Sequence, residues 1–104
     1  MEYYIFLVTV PNIEEGKKIA KSLVEKKIAA CVNIINNIHS IYSWKGNIEE
    51  GSEELLIIKT TKTNADSVIR EVLETHSYEV PECIAIKIDK GSSPYLNWIE
   101  KNVR

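Results

Sequence analysis

His76 is the side chain best suited to chemistry in this 104-residue chain. It ends an apolar helical stripe, three residues after Leu73 and four after Val72. A helix C-terminus favours the imidazolium, and neutral imidazole is a good ligand for copper or zinc. Glu79 and Glu82, on either side of Val80-Pro81, could add carboxylate oxygens to the same ion, which suits hard cations better than copper. The same three residues also fit a plainer description, a helix-end histidine bonded to a carbonyl beside ordinary surface charge. Cys31 could give Cu(I) a thiolate, although the commoner role for such a cysteine is that of a small buried hydrophobe, and Cys83 reads the same way. Lys59 stands beside an apolar run and calls for a carboxylate, either Glu82 or a glutamate of a neighbouring subunit. Its alternative is an anion site, which would want a Gly-rich loop or an arginine, and the only arginines are Arg70 and Arg104.

Other chemistries fail on spacing. Glu53 and Glu54 are adjacent, so on a strand they point to opposite sides and cannot pair as acid and base. His39 lies mid-ribbon and reads as structural. There is no Ser/Cys–His–Asp set in plausible order, no phosphate loop and no Cys-x-x-Cys. Val10-Pro11-Asn12 offers neither the arginine nor the backbone cradle that acylphosphatase chemistry needs. The residues therefore predict no enzyme and no obligatory cofactor, with a divalent metal, copper or zinc, as the ligand they could take.

The elements that must position these residues are readable from periodicity. Residues 3–10 are aromatic and β-branched, which predicts a strand buried on both faces. Asn12 caps a following helix, with Glu15 in capping-box position and Gly16, Ile19, Ala20, Leu23 and Val24 at helical spacing. The run of seventeen residues from Ile28 to Trp44 then reads as strand throughout. Strands average about 5–6 residues. At roughly 3.3 Å per residue this ribbon would span on the order of 50 Å and leave the body of a small domain. After the turn Lys45-Gly46-Asn47, a second extended segment runs from about Ser52 to Thr61. A helix beginning at Thr63 or Asn64 carries the stripe Ala65, Val68, Ile69, Val72, Leu73. A strand from Cys83 to Asp89 and a short helix opened by Ser93-Pro94 complete the chain.

That order predicts an α+β fold, a ferredoxin-like βαββαβ sandwich over residues 1–104 with a long β2-β3 hairpin and an extra C-terminal helix. Helices cover one face of such a sheet, yet Leu55-Leu56-Ile57-Ile58 is apolar on both sides. Together with the exposed aromatics of the ribbon, this predicts self-association, with Tyr42, Trp44, Lys45 and Gly46 at the tip clasping a neighbour. Composition adds exclusions. The chain is 44% apolar and 27% charged with a net charge of −2, so it lacks the basic face that nucleic acid requires. The apolar stretch Ile5–Val10 is too short for a signal peptide or a membrane span. With two cysteines placed in apolar surroundings, the expected compartment is the cytoplasm.

Several short motifs in register resemble the CutA divalent-cation tolerance family. They are Ala29-Ala30-Cys31-Val32-Asn33, Ile41-Tyr42-Ser43-Trp44-Lys45-Gly46, Lys59-Thr60, His76-Ser77-Tyr78-Glu79-Val80-Pro81-Glu82 and Tyr95-Leu96-Asn97-Trp98. The resemblance covers essentially the whole chain. It implies a homotrimer of ferredoxin-like subunits, similar to PII signalling proteins, and a role in tolerance of copper and other divalent metals. Two departures stand out. Ser77 replaces the family's proline, and the positions of copper ligands proposed in some relatives fall on Val8 and Thr75, which lowers the expected copper affinity. The remaining alternatives are a PII-like small-ligand signalling module and a structural trimeric scaffold without metal function.

Overall fold

Phe6, Val8 and Val10 alternate with less buried neighbours, so the first segment forms a strand with one face in the core, β1 (Tyr3–Val10). In the computed structural model, which describes residues 1–104, it is followed by α1 (Ile13–Glu25), β2 (Cys31–Trp44) and β3 (Asn47–Thr61). A 3₁₀ turn at Lys62–Asn64 leads into α2 (Ala65–Thr75), and β4 (Ile84–Ile88) and α3 (Ser93–Lys101) complete the chain. The four-stranded sheet runs β2-β3-β1-β4 with every neighbouring pair antiparallel, the predicted α+β sandwich. Ile19 and Leu23 of α1 and Val68 and Val72 of α2 close the core over Phe6, Val8, Leu56 and Ile58. Gly16 lets α1 approach closely: a Cβ there would lie 3.1 Å from Val10 Cγ2.

Local chemistry explains several boundaries. Asn12 caps α1 by accepting the Glu15 N–H at 2.8 Å. The Glu15 carboxylate does not complete a capping box; it accepts the Ser77 N–H at 3.0 Å instead. The seventeen-residue run is not all strand. Lys27 takes φ of +58°, and Ile28, Ala29 and Ala30 pass through the interior before pairing begins at Cys31. The buried Thr60 hydroxyl satisfies the Ile28 carbonyl there at 2.6 Å. β3 starts at Asn47, five residues before the predicted Ser52, because polar residues pair freely on a ribbon that is exposed on both sides. The Lys45-Gly46 turn, with φ of +50° and +83°, has the left-handed geometry that matches hairpin twist.

The opposite face of the sheet has no full cover. Register places Ile5 and Leu7 beside Lys59 and Ile57 on one side and beside Ile86 and Ile84 on the other. Ile84 and Ile86 are each 54% exposed. α3 packs against β3 and buries Ile99, while its Tyr95 and Trp98 stack at 5.5 Å near the surface.

β2 carries one irregularity. Ile35 pairs with Leu55 but Ile38 pairs with Glu53, so Asn36 and Asn37 together oppose Glu54. Asn37 adopts φ of +58° to make this bulge. Side-chain direction alternates along a strand, so one inserted residue exchanges the faces beyond it. Ile38, Ser40, Tyr42 and Trp44 therefore continue on the same face as Asn33 and Ile35, the open one. From this point the hairpin projects as an arm, and the molecule measures 44 × 25 × 22 Å. The ribbon does leave the body of the domain.

Candidate functional site

The loop between α2 and β4 wraps around the end of β1, and His76 is its anchor. The His76 side chain is fully buried. Its Nε2 lies 2.7 Å from the Thr9 carbonyl, and Tyr78 N–H points at Nδ1 from 3.1 Å. Nδ1 accepts that hydrogen bond, so Nε2 carries the proton and donates it to Thr9. The 3.3 Å approach of Glu15 Oε2 to Nδ1 is then a contact between two acceptors, not an ion pair. Neither ring nitrogen has a lone pair left for a metal. This is the plainer of the two readings of His76, a helix-end histidine bonded to a carbonyl, and in it the side chain fixes the loop.

Tyr78, held this way, packs its ring against His76 at 4.7 Å between centroids and donates its hydroxyl to Glu53 Oε2 at 2.7 Å. Burial raises the Tyr78 pKa, and the Glu53 carboxylate raises it further. The loop and the base of the arm thus enclose a cleft of about 760 Å³. Tyr42, Trp44, Glu53, Tyr78, Glu79 and Glu82 all line it, and no lysine or arginine does. Burial is the main reason that the Glu82 carboxyl titrates above its ordinary range, and the nearby Glu53 adds to it. Glu53 was not among the expected site residues. The only signal for it would have been the hairpin register that sets it opposite Ile38.

The remaining expectations divide. Cys83 packs against the core, and burial pushes its thiol up to about 11, with Glu82 contributing. Cys31 is half-buried on the open face rather than in the core, opposite Lys59, with its thiol 3.8 Å from Asn33 Oδ1. Lys59 donates to Asn33 Oδ1, not to Glu82, because Asn33 lies diagonally across from it on the same face whereas Glu82 is at the other end of the sheet. No intrachain carboxylate pairs with Lys59. His39 contacts Glu50 at 2.8 Å across the arm. At the tip, Tyr42 and Trp44 are 49% and 38% exposed, and Lys45 Nζ stands 5.6 Å from the centre of the Trp44 ring. Nowhere do three or more His, Cys, Asp or Glu side chains converge closely enough to cage a metal ion.

Fold and site together define a ferredoxin-like domain with a projecting arm and an acidic, aromatic cleft at its base. The family described as CutA1 divalent ion tolerance protein matches residues 4–102, and the chain belongs to it. It is 48% identical over 100 residues to the chloroplastic protein CutA of Arabidopsis thaliana, covering 96% of this chain but 55% of that one. The chain thus spans about half the length of that plant relative. With the divalent-cation tolerance protein CutA of Thermus thermophilus it shares 43% identity over 98 residues, 94% of this chain and 95% of the other. Among solved structures, CutA1 from Oryza sativa superposes with a TM-score of 0.97 at 43% identity, covering 100% of this chain and 95% of that one.

Proposed function

We propose that this chain works as a homotrimeric divalent-cation tolerance protein that binds metal weakly, through the carboxylates of the cleft, and has no enzymatic role. The observation that carries the assembly is the continuous open face. Ile5, Leu7, Ile57, Ile84 and Ile86 on the sheet join Ile38, Tyr42 and Trp44 on the arm through the bulge. A surface of this kind calls for a partner, and the shared family supports a second and third copy of the same chain.

For metal, Glu53, Glu79 and Glu82 supply hard oxygen donors in a cleft without cations. They do not converge, the one imidazole in the lining, His39, is engaged by Glu50 at 2.8 Å, and no thiolate joins them, so the residues fit a loosely held hard cation and fit copper poorly. Titration calorimetry with Cu²⁺ and Zn²⁺ tests the reading. Weak binding that survives His76→Ala and disappears in Glu79→Gln/Glu82→Gln is the expected result. Binding lost with His76 alone, at intact fold, would return the site to the imidazole. Sedimentation equilibrium tests assembly, and a stable monomer at micromolar concentration would overturn it. The two unpaired thiols, Cys31 and Cys83, support a reducing compartment, the cytoplasm, as the place of action.

A further inference from the structure

We propose that Lys59 of one copy pairs with the cleft carboxylates of the next copy, Glu53, Glu79 and Glu82. The pairing rests on the assembly proposed above and not on metal binding. Register sorts the strand residues between the two faces of the sheet, and among those on the open face Lys59 is the one lysine or arginine. Its neighbours across the sheet are Ile5 and Cys31, and Ile57 precedes it on the same face. The ammonium donates to Asn33 Oδ1, a neutral carbonyl, and no carboxylate of its own chain pairs with it. An ammonium can donate three hydrogen bonds, so the rest of the group is left to water. Glu100 of α3 reaches the same face but accepts the Tyr3 hydroxyl at 2.8 Å.

Covering this face with another copy removes that water. A buried ammonium without a counter-charge is strongly unfavourable, so the covering surface must bring a carboxylate. The cleft is the complement, with three carboxylates and no lysine or arginine in its lining. Burial, and then repulsion from Glu53, make the charged form of Glu82 costly in the single chain, and an inserted ammonium relieves the repulsion. Within one chain the two features cannot meet. Lys59 lies beside Ile5 near the start of β1, whereas the cleft is built around Thr9 and Glu53 at the other end of the sheet. Between copies they can, because a heterologous contact joins different patches of two identical chains and closes when the ring returns to the first copy. Each contact in a ring of three then holds one such pair, and a neighbour fills the cleft. A divalent ion must compete with that ammonium for the same oxygens, which accords with weak metal binding.

The test is a charge swap, read by sedimentation of the native assembly across a dilution series, with circular dichroism as the check on folding. Lys59→Glu alone should weaken association at least about tenfold, the scale of a close charge pair lost at an interface. Glu53→Lys, Glu79→Lys and Glu82→Lys are then each combined with Lys59→Glu. Recovery of most of the lost association in one of the three double variants is the expected result, and it identifies the carboxylate that takes the ammonium. Lys87→Glu, whose lysine lies on the other face beside Tyr4 and pairs with Glu2, controls for net charge and should leave association unchanged. Association indifferent to Lys59→Glu, an equal loss with Lys87→Glu, or a loss that no reversal restores would overturn the pairing while leaving the assembly standing. A wild type that stays monomeric instead defeats the assembly reading, and the pairing with it.

Discussion

At the scale of single residues, Glu71 shows how a buried charge is held in this fold. Its carboxylate, in α2, accepts the Ser22 hydroxyl at 2.6 Å and Lys26 Nζ at 2.9 Å, both on α1 or its cap. Ser22 first and Lys26 second hold its pKa below the ordinary carboxylate value, against burial, which raises it. A depressed folded-state pKa stabilises the fold above the unfolded value, and this contribution is lost as pH falls through the folded one. Urea midpoints should therefore drop as wild type is acidified below about pH 4, and Glu71→Gln should flatten that dependence. His76→Ala should cost about 2–3 kcal/mol in urea unfolding, because it orphans the Thr9 carbonyl and the Tyr78 N–H. The sequence located this histidine but could not show its role, since Thr9 lies 67 positions away and meets it only through the fold.

At the scale of elements, the bulge in β2 decides which way the arm faces. Deleting Asn37 would restore simple pairing and turn Tyr42 and Trp44 to the other side of the arm. A folded but dissociated protein is the expected result, read by circular dichroism and sedimentation. Asn37→Gly, which keeps the residue count and the left-handed conformation, should assemble normally. The length of the hairpin was legible because nothing else explains so long a β-branched and aromatic run. The bulge was not, although consecutive asparagines in the middle of a strand were its trace: both are poor strand formers, and asparagine tolerates positive φ. The unexpected starts of β2 and β3 have a common cause. Burial, not propensity, governs Ile28–Ala30, and cross-strand pairing, not propensity, governs Asn47–Gly51.

At the scale of the whole molecule, the open face and the arm form one surface. Trp44→Ala should loosen assembly by roughly 2–4 kcal/mol, the range for a central aromatic at an interface, measured as a shift in the concentration dependence of sedimentation. Ile86→Lys, on the sheet half of that surface, should dissociate the protein without lowering its secondary structure, because the side chain is already 54% exposed in the single chain. The open apolar face of the sheet was readable from Leu55–Ile58, whose alternate residues cannot all face one core. The shape of the cleft was not, because it joins residues from β1, the hairpin and the 77–82 loop that no local pattern connects. The geometry of the arm bears on measurement as well. Beyond the bulge, the backbone of residues 38–53 pairs in the sheet only with itself and none of these residues is buried in the core, so its hydrogen bonds can open with little disturbance to the rest of the fold. Hydrogen exchange in this segment should then run fast in an isolated subunit and slow in an assembled one. The arm would act as a built-in clock of association, reading how long neighbouring copies stay together and independent of global unfolding.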